Sequence, residues 1–248
     1  MMLLLLIFLA GIWAGIQNTL AGGGSFVTLP ALIVSGMSPL AANITSTVAL
    51  FPGQLTSGYA GRKLVSGAAG LSFRALFGLS VVGGAVGGLL LLNTSPKVFA
   101  HLVPWLVLFA TAIFTWGSFF RKGSAEKAAH LGPFATGTAQ FLIAVYGGYF
   151  GGGIGILMMA ALTMAGLSAR NAGGTKNVLA GVMNASAVVL FLTSPELHWL
   201  QAGVLAAGAI LGGLAGTWAL HRVNEKALRI AIVCIGVALT AGLFLRPL

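Results

Sequence analysis

Long apolar stretches separated by short polar or glycine-rich interruptions run along the whole chain. A segment that crosses a bilayer as a helix needs about 20 predominantly apolar residues, and most of the stretches approach that length. The pattern predicts an all-α polytopic membrane protein. Ten apolar segments can be drawn, at residues 2–20, 25–37, 43–60, 71–92, 98–120, 132–150, 154–167, 172–193, 198–220 and 227–245.

A glycine-rich break interrupts this pattern twice, at corresponding places in the two halves of the chain. The breaks are Ala21-Gly22-Gly23-Gly24-Ser25 and Gly151-Gly152-Gly153-Ile154-Gly155. Paired breaks at matching positions of two halves are typical of transporter binding sites, because the freed backbone groups can line a polar cavity at mid-membrane depth. We therefore expect glycine-broken or re-entrant helices at the functional site.

The two halves of the chain align when Gly23 is placed opposite Gly153. In this register Ser38 pairs with Ser168 and Thr45 with Thr175, and Gln54 falls opposite Asn184. We predict a first transmembrane repeat over residues 1–120, a cytoplasmic linker over 121–131 and a second transmembrane repeat over 132–248.

Charge placement predicts that the two repeats have inverted topology. Basic residues gather in the loops at 61–74, 121–127 and 222–229, which the positive-inside rule assigns to the cytoplasm. The loop at 193–198 has almost no positive charge, although it is the counterpart of the basic loop at 61–74.

Inversion requires an odd number of crossings in each half. Either five spans or three spans plus a hairpin satisfies it, and the short segments 25–37 and 154–167 favour the hairpin. Both termini are then expected outside the cytoplasm.

The composition of the chain is typical of a protein embedded in a membrane. It is 58% hydrophobic and 6% charged, whereas soluble domains carry roughly 25% charged residues. The lipid bilayer is therefore an expected partner. The net charge of +10 follows from topology and does not indicate nucleic acid. The first segment is interpreted as a retained span rather than a signal peptide, and homo-oligomer formation is left open.

Glycines also recur at small-xxx-small spacing inside two long segments. They are Gly83, Gly84, Gly87 and Gly88, with Gly212, Gly213 and Gly216 as counterparts. We interpret them as contacts between closely packed helices rather than as ligand contacts.

Polar residues at membrane depth form two matched clusters, each beginning the segment that follows a short one. Helix starts expose unpaired N–H groups, so two starts that face each other would hold a small anion. The alternative for Asn43, Thr45, Ser46 and Thr175 is that they only cap their helices. The candidate substrate-binding residues are Gly23, Gly24, Asn43, Thr45, Ser46, Gln54, Gly152, Gly153, Thr175, Lys176, Asn177 and Asn184.

Lys176 is the one basic residue within these clusters. It either pairs with an anionic substrate or snorkels to the nearer surface. The three acidic residues, Glu126, Glu196 and Glu225, all fall in predicted loops, which disfavours cation transport and a carboxylate proton relay. No catalytic signature or metal-ligand pattern is present in the sequence. We therefore expect neither an enzyme nor a metal or cofactor site.

The chain resembles the TauE/SafE family of sulfite exporters, bacterial permeases for small sulfur-containing anions. The resemblance covers nearly the whole chain. In the first half it is carried by the stretch from Gly22 to Pro30 and by Ala42-Asn43-Ile44-Thr45-Ser46, and in the second by Gly151–Gly155 and Ala172-Gly173-Gly174-Thr175-Lys176. This chain has Asn43-Ile44 where the family usually has a small residue or glycine before the threonine, and Lys176 where a serine is common.

The resemblance implies a multi-pass protein of the bacterial cytoplasmic (inner) membrane. It further implies export of sulfite, sulfoacetate or a related organosulfonate by alternating access. Within transport, the alternatives are a passive anion channel or a carboxylate carrier. An alternative of another class is a membrane assembly subunit that transports nothing, to which the small-xxx-small faces would be suited.

Overall fold

The computed structural model describes residues 2–20, 23–120, 131–219 and 225–245. Nearly all of the predicted linker, and Gly22 of the first break, lie outside them. The described chain is α-helical and contains no β-strand. Its ten helices are α1 (Met2–Leu20), α2 (Ser25–Val34), α3 (Pro39–Gly61), α4 (Phe73–Leu92), α5 (Pro96–Thr115), α6 (Pro133–Tyr149), α7 (Ile154–Met164), α8 (Ala169–Phe191), α9 (Trp199–Ala219) and α10 (Glu225–Leu245).

The helices correspond one to one with the ten apolar segments, which confirms the all-α prediction. Three helical stretches are long and apolar enough to cross a membrane, at Phe73–Leu92, Pro96–Phe119 and Trp199–Gly216. By contrast, α2 has 10 residues and α7 has 11, about half of what a full crossing takes. The two short helices are therefore suited to the hairpin form of each half, with α3 and α8 following after brief turns.

The chain divides into two compact units, and each is discontinuous in sequence. The first comprises Met1–Gly53, Leu92–Ala112 and Phe191–Leu248, and the second comprises Gln54–Leu91 and Ile113–Leu190. Both units thus combine segments from the two sequence halves. The repeats remain a prediction about the sequence, and the compact units cut across them.

The turn that follows each short helix has the same geometry in both halves. Gly36 and Gly166 have φ angles of +97° and +91°, and their N–H groups bond to Ile33 O at 2.9 Å and Thr163 O at 3.1 Å. This left-handed helix ending favours glycine because a side chain would strain it. The match between these aligned positions supports the duplication, whereas the inverted orientation of the halves remains a prediction.

Glycines bring helix backbones into direct contact within each unit. In the first unit, a Cβ atom on Gly15 of α1 would overlap Ala209 O, and one on Gly212 of α9 would overlap Ile12 O. In the second unit, a Cβ on Gly87 of α4 would overlap Val145 O of α6. The packing role predicted for Gly87 and Gly212 is therefore confirmed.

A larger residue at Gly212 is expected to destabilise the first unit. Gly212→Val forces a side chain into the α1 backbone, and such overpacking typically costs about 1–3 kcal/mol. Gly203→Val on the same helix is the matched control, because a Cβ there has no atom within 4 Å. Thermal unfolding in detergent, followed by tryptophan fluorescence, should show a lower Tm for Gly212→Val alone. Equal Tm values for the two variants would contradict the close packing.

Candidate functional site

Both glycine breaks end a helix, as the sequence predicts. In the first, α1 stops at Leu20 and α2 begins at Ser25, with Gly23 at a φ of +84°. In the second, α6 stops at Tyr149 and α7 begins at Ile154, with Gly153 at a φ of +74°. Positive φ angles at these positions explain why glycine is required.

The first break is held together by side chains of α1. Gln17 Nε2 donates to Gly23 O at 2.6 Å, and Gly24 N donates to Asn18 Oδ1 at 2.7 Å. Trp13 Nε1 fixes the Gln17 amide through a bond of 3.1 Å to Oε1. A backbone donor and a backbone acceptor freed by the break are therefore satisfied inside the protein. Gln17 and Asn18 were missed as site residues, although polar side chains directly before a break in an apolar segment are a usable signal.

The α3 residue beside the first break is also paired. Ser46 Oγ and Thr28 Oγ1 are 2.6 Å apart, and both residues are almost fully buried. Thr28 Oγ1 lies 3.3 Å from Gly24 O as well, so the hydroxyl pair connects α3 to the break itself. The first break and Ser46 thus form a self-contained hydrogen-bonded group.

The second break lacks each of these partners. In the alignment of the two halves, Gly147 and Gly148 take the places of Gln17 and Asn18, Met158 takes that of Thr28, and Lys176 takes that of Ser46. The side chains that satisfy the first break are therefore absent, and a cation replaces a hydroxyl.

Lys176 lies against the start of α7. A Cβ atom built on Gly155 would be 3.7 Å from Lys176 Nζ and 3.9 Å from its Cδ, which is van der Waals contact. The lysine is partly buried, and its side chain makes no hydrogen bond or ion pair with any residue that the structure describes. Gly152 and Gly153, just before α7, are buried.

The electrostatics of this place favour an anion. The N-terminus of a helix carries a partial positive charge from its unpaired N–H groups. Lys176 adds a full positive charge beside the N-terminus of α7, and the described part of the second unit contains no aspartate or glutamate to balance it. The candidate site is therefore the second glycine break together with Lys176.

Six of the predicted site residues were expected at the starts of α3 and α8 but lie inside these helices, so that prediction was wrong. α3 begins at Pro39 and α8 at Ala169, where Ser38 Oγ accepts from Ala41 N at 3.1 Å and Ser168 Oγ from Asn171 N at 3.3 Å. Serine is a strong N-cap, and proline suits the first helical position, so both helices begin a turn earlier than the apolar pattern suggested. The residues affected, which neither start nor cap their helices, are Asn43, Thr45, Ser46, Thr175, Lys176 and Asn177.

Thr45 and Thr175 instead hold loops. In the first unit Thr45 Oγ1 accepts a hydrogen bond from His198 N at 3.2 Å, and in the second Thr175 Oγ1 accepts one from Ser66 N at 3.1 Å. Both threonines are fully buried. The aligned threonines therefore have the same role, each anchoring a loop that comes from the other half of the sequence.

Gln54 and Asn184, which the alignment placed opposite each other, bond directly. Asn184 Nδ2 donates to Gln54 Oε1 at 2.6 Å within the second unit. Nearby, Gly61 of α3 and Gly174 of α8 are in close contact, since a Cβ on Gly61 would lie 2.9 Å from Gly174 O. The amide pair and this contact fix the end of α3 against the part of α8 that carries Lys176.

Three known proteins are similar to this chain over nearly its whole length. A "Probable membrane transporter protein" of Haemophilus influenzae is 28% identical over 243 residues, covering 96% of this chain and 93% of the relative. The "Probable membrane transporter protein YfcA" of Escherichia coli K12 is 27% identical over 246 residues, covering 98% and 90%. The "Probable membrane transporter protein ORF9" of a Sinorhizobium species is 30% identical over 250 residues, covering 99% and 94%.

These relatives and the apolar helices define a multi-pass membrane transporter protein. The family model described as "Sulfite exporter TauE/SafE" matches residues 7–243, almost the entire chain. The chain belongs to the TauE/SafE sulfite exporter family.

Removing the Thr175 hydroxyl is expected to release the loop at Ser66. Thr175→Val leaves Ser66 N–H without its acceptor, which should cost about 1 kcal/mol and so speed exchange of that amide about fivefold. Hydrogen exchange followed by mass spectrometry measures this directly. Thr175→Ser is the control, because it keeps the accepting oxygen. Unchanged exchange at Ser66 in Thr175→Val would show that the bond does not hold the loop.

Proposed function

We propose that this protein exports a small sulfur-containing anion, such as sulfite, sulfoacetate or a related organosulfonate, from the cytoplasm by alternating access. The anion binds at the second glycine break, between Lys176 and the first turn of α7. Membership of the TauE/SafE family supports the substrate class, and the names of the relatives support transport as the activity.

The observation that carries the proposal is the unpaired Lys176 ammonium beside the start of α7. A cation inside a membrane protein is costly unless it is paired, and such residues mark substrate or ion pathways. Here Lys176 lies beside the N-terminus of α7, which has the same sign of charge. A bound anion would compensate both positive charges together.

The contrast between the two breaks supports the same assignment. In the first break, the side chains of Gln17 and Asn18 already form hydrogen bonds with backbone groups of the break. The Ser46 hydroxyl is already paired with the Thr28 hydroxyl. A ligand there would have to displace existing bonds. The second break has no such side-chain bonds from the corresponding positions. Gly151 N donates to Tyr146 O at 3.3 Å, whereas the amides of Gly152 and Gly153 have no hydrogen-bond partner among the residues that the structure describes, so these two are available to an anion. We therefore assign the first break a structural role and the second the binding role.

Export of an anion needs no dedicated energy source in this scheme. A membrane potential that is negative inside favours anion exit by roughly 2.3 kcal/mol per charge for each 100 mV. The cytoplasmic membrane of a bacterium is the expected location, with both termini outside the cytoplasm.

Neutralising Lys176 should abolish most anion binding. Lys176→Gln is expected to raise the Kd for sulfite or sulfoacetate at least about tenfold, which corresponds to about 1.4 kcal/mol of lost pairing. Arg170→Gln is the matched control, because Arg170 is exposed and lies on the same helix. Thermal shift of the purified protein against a panel of sulfur anions and small carboxylates gives the affinities. Unchanged affinity in Lys176→Gln would overturn the assignment of the site.

The same panel and a flux assay separate the alternatives. Tighter binding of carboxylates than of sulfonates would favour a carboxylate carrier. In proteoliposomes, saturable flux with counterflow supports a carrier, whereas linear and fast flux would indicate a channel. An absence of both binding and flux would favour an assembly subunit.

Filling the space at Gly155 should block the site without removing charge. A leucine at this position would extend from a Cβ only 3.7 Å from Lys176 Nζ, where the anion is proposed to lie. Gly155→Leu is expected to reduce anion affinity about as strongly as Lys176→Gln. Gly173→Leu on α8 is the control, because a Cβ there has no atom within 4 Å. Normal sulfite binding by Gly155→Leu would place the anion elsewhere.

A further inference from the structure

A cavity with a mixed polar and apolar lining lies in the first unit, beside the start of α3. Its volume is about 450 Å³. The walls come from the first turns of α3, the turn between α4 and α5, and the turn between α8 and α9. All of these lining residues belong to the first unit, so the cavity is a feature of that unit alone.

The two turns give the cavity its polar wall. Both carry the same tripeptide, Thr-Ser-Pro, at residues 94–96 and 193–195. Each of the polar side chains on these turns has an oxygen atom that can accept a hydrogen bond. The polar lining residues are Asn93, Thr94, Ser95, Thr193, Ser194 and Glu196. The cavity is therefore rich in acceptors for a ligand that carries several N–H groups.

Glu196 gives the cavity a negative charge. Among the described residues that line it, Glu196 alone is charged, and its side chain is partly buried. The carboxylate accepts a hydrogen bond from Ser38 Oγ at 3.5 Å and makes no ion pair with any described residue. Lys97 and His198 lie just after the two turns, but both are exposed and neither lines the cavity. A cationic group in the cavity would therefore meet an unpaired carboxylate, and charge-assisted hydrogen bonds are the stronger kind.

The turn that carries Glu196 is held in place by its own contacts. Glu196 N donates to Ser194 Oγ at 3.2 Å, and the next residue, Leu197, is buried. His198 N donates to Thr45 Oγ1 of α3 at 3.2 Å. The backbone on both sides of the carboxylate is thus fixed before a ligand arrives, which reduces the entropy lost on binding.

The apolar part of the lining distinguishes between kinds of cation. Leu40 and Ile44 lie one turn apart on α3, and Leu92 is the last residue of α4. Calcium takes about six to eight oxygen ligands, usually with several carboxylates among them, and one carboxylate lines this cavity. A space of several hundred Å³ with apolar walls and a few polar groups is instead typical of sites for small organic molecules.

We infer that this cavity binds a small organic ammonium ion. The N–H groups of the ion donate to the Glu196 carboxylate and to the hydroxyls of the two turns, and its alkyl part contacts Leu40 and Ile44. The loop at 193–198 is expected outside the cytoplasm, so the ion enters from that side. The site is separate from the one proposed at Lys176, which belongs to the second unit and would attract anions.

The test uses n-butylammonium chloride as the probe, with sodium chloride and n-butanol as comparison solutes at equal concentration. Purified protein in detergent should show a saturable rise in Tm with n-butylammonium, and calorimetric titration gives the Kd. Sodium lacks the alkyl part and n-butanol lacks the charge, so neither should match this rise. An equal rise with sodium chloride or with n-butanol would overturn the proposal.

Substitution of Glu196 tests the role of the carboxylate. Glu196→Gln keeps the shape of the side chain and removes its charge, so the Kd for n-butylammonium should rise about tenfold. Glu196→Asp keeps the charge and should retain most of the affinity. Lys97→Gln is the matched control, because this exposed residue follows the lining residue Pro96 and does not line the cavity. Removing its positive charge should leave the Kd unchanged or slightly lower.

Two results with these variants would contradict the site. They are an unchanged Kd in Glu196→Gln and an equal loss of affinity in Lys97→Gln. If Glu196→Gln does not fold, the comparison of n-butylammonium with n-butanol on the parent protein still decides.

Discussion

Backbone polar groups that leave a helix inside a membrane must find new partners, because the hydrocarbon offers no water. Each glycine break in this chain frees such groups, and the two halves respond differently. Amide side chains of α1 form hydrogen bonds with the backbone of the first break, so these backbone groups are already satisfied. The second break has glycines in place of these amide side chains, and Lys176 lies against the helix that follows it. The two breaks thus share a left-handed glycine before the short helix, and the proposed anion site lies at the second of them.

The same helices that carry the polar clusters also hold the loops. Thr175 accepts a hydrogen bond from the loop at Ser66, and Lys176 is the next residue along α8. A movement of that loop would therefore alter the helix turn from which Lys176 extends. In the other unit Thr45 makes the corresponding bond to His198, and the next residue along α3 is the uncharged Ser46. A single helix turn therefore connects the loop at Ser66 with the proposed anion site in the second unit.

The features of the fold that depend on residues close in sequence were predictable from the sequence. The runs of apolar residues, the glycine breaks and the short segments 25–37 and 154–167 all correspond to features of the structure, because each depends on residues close in sequence. The exact helix starts were mispredicted, since Ser38 and Ser168 extend α3 and α8 backwards by a turn. The roles of Thr45 and Gln17 depend on long-range contacts or on a turn of specific geometry, which a single sequence does not reveal. The site at Lys176 and the second break therefore stays a prediction, whereas Thr45, Ser46, Gln54, Thr175 and Asn184 have hydrogen-bond partners within the protein.

The bond between Gln54 and Asn184 has a consequence for the history of the chain. A carboxamide is both donor and acceptor, so it is one of the few polar side chains that can bond to an identical copy of itself. In a chain that arose by duplication, two aligned residues that touch today descend from one residue that would have met its own copy in a dimer of half-length chains. A glutamine or asparagine tolerates that meeting, whereas a lysine or a glutamate would repel itself. The present bond between Asn184 and Gln54 is compatible with such a self-matched contact, in which the two members have since diverged.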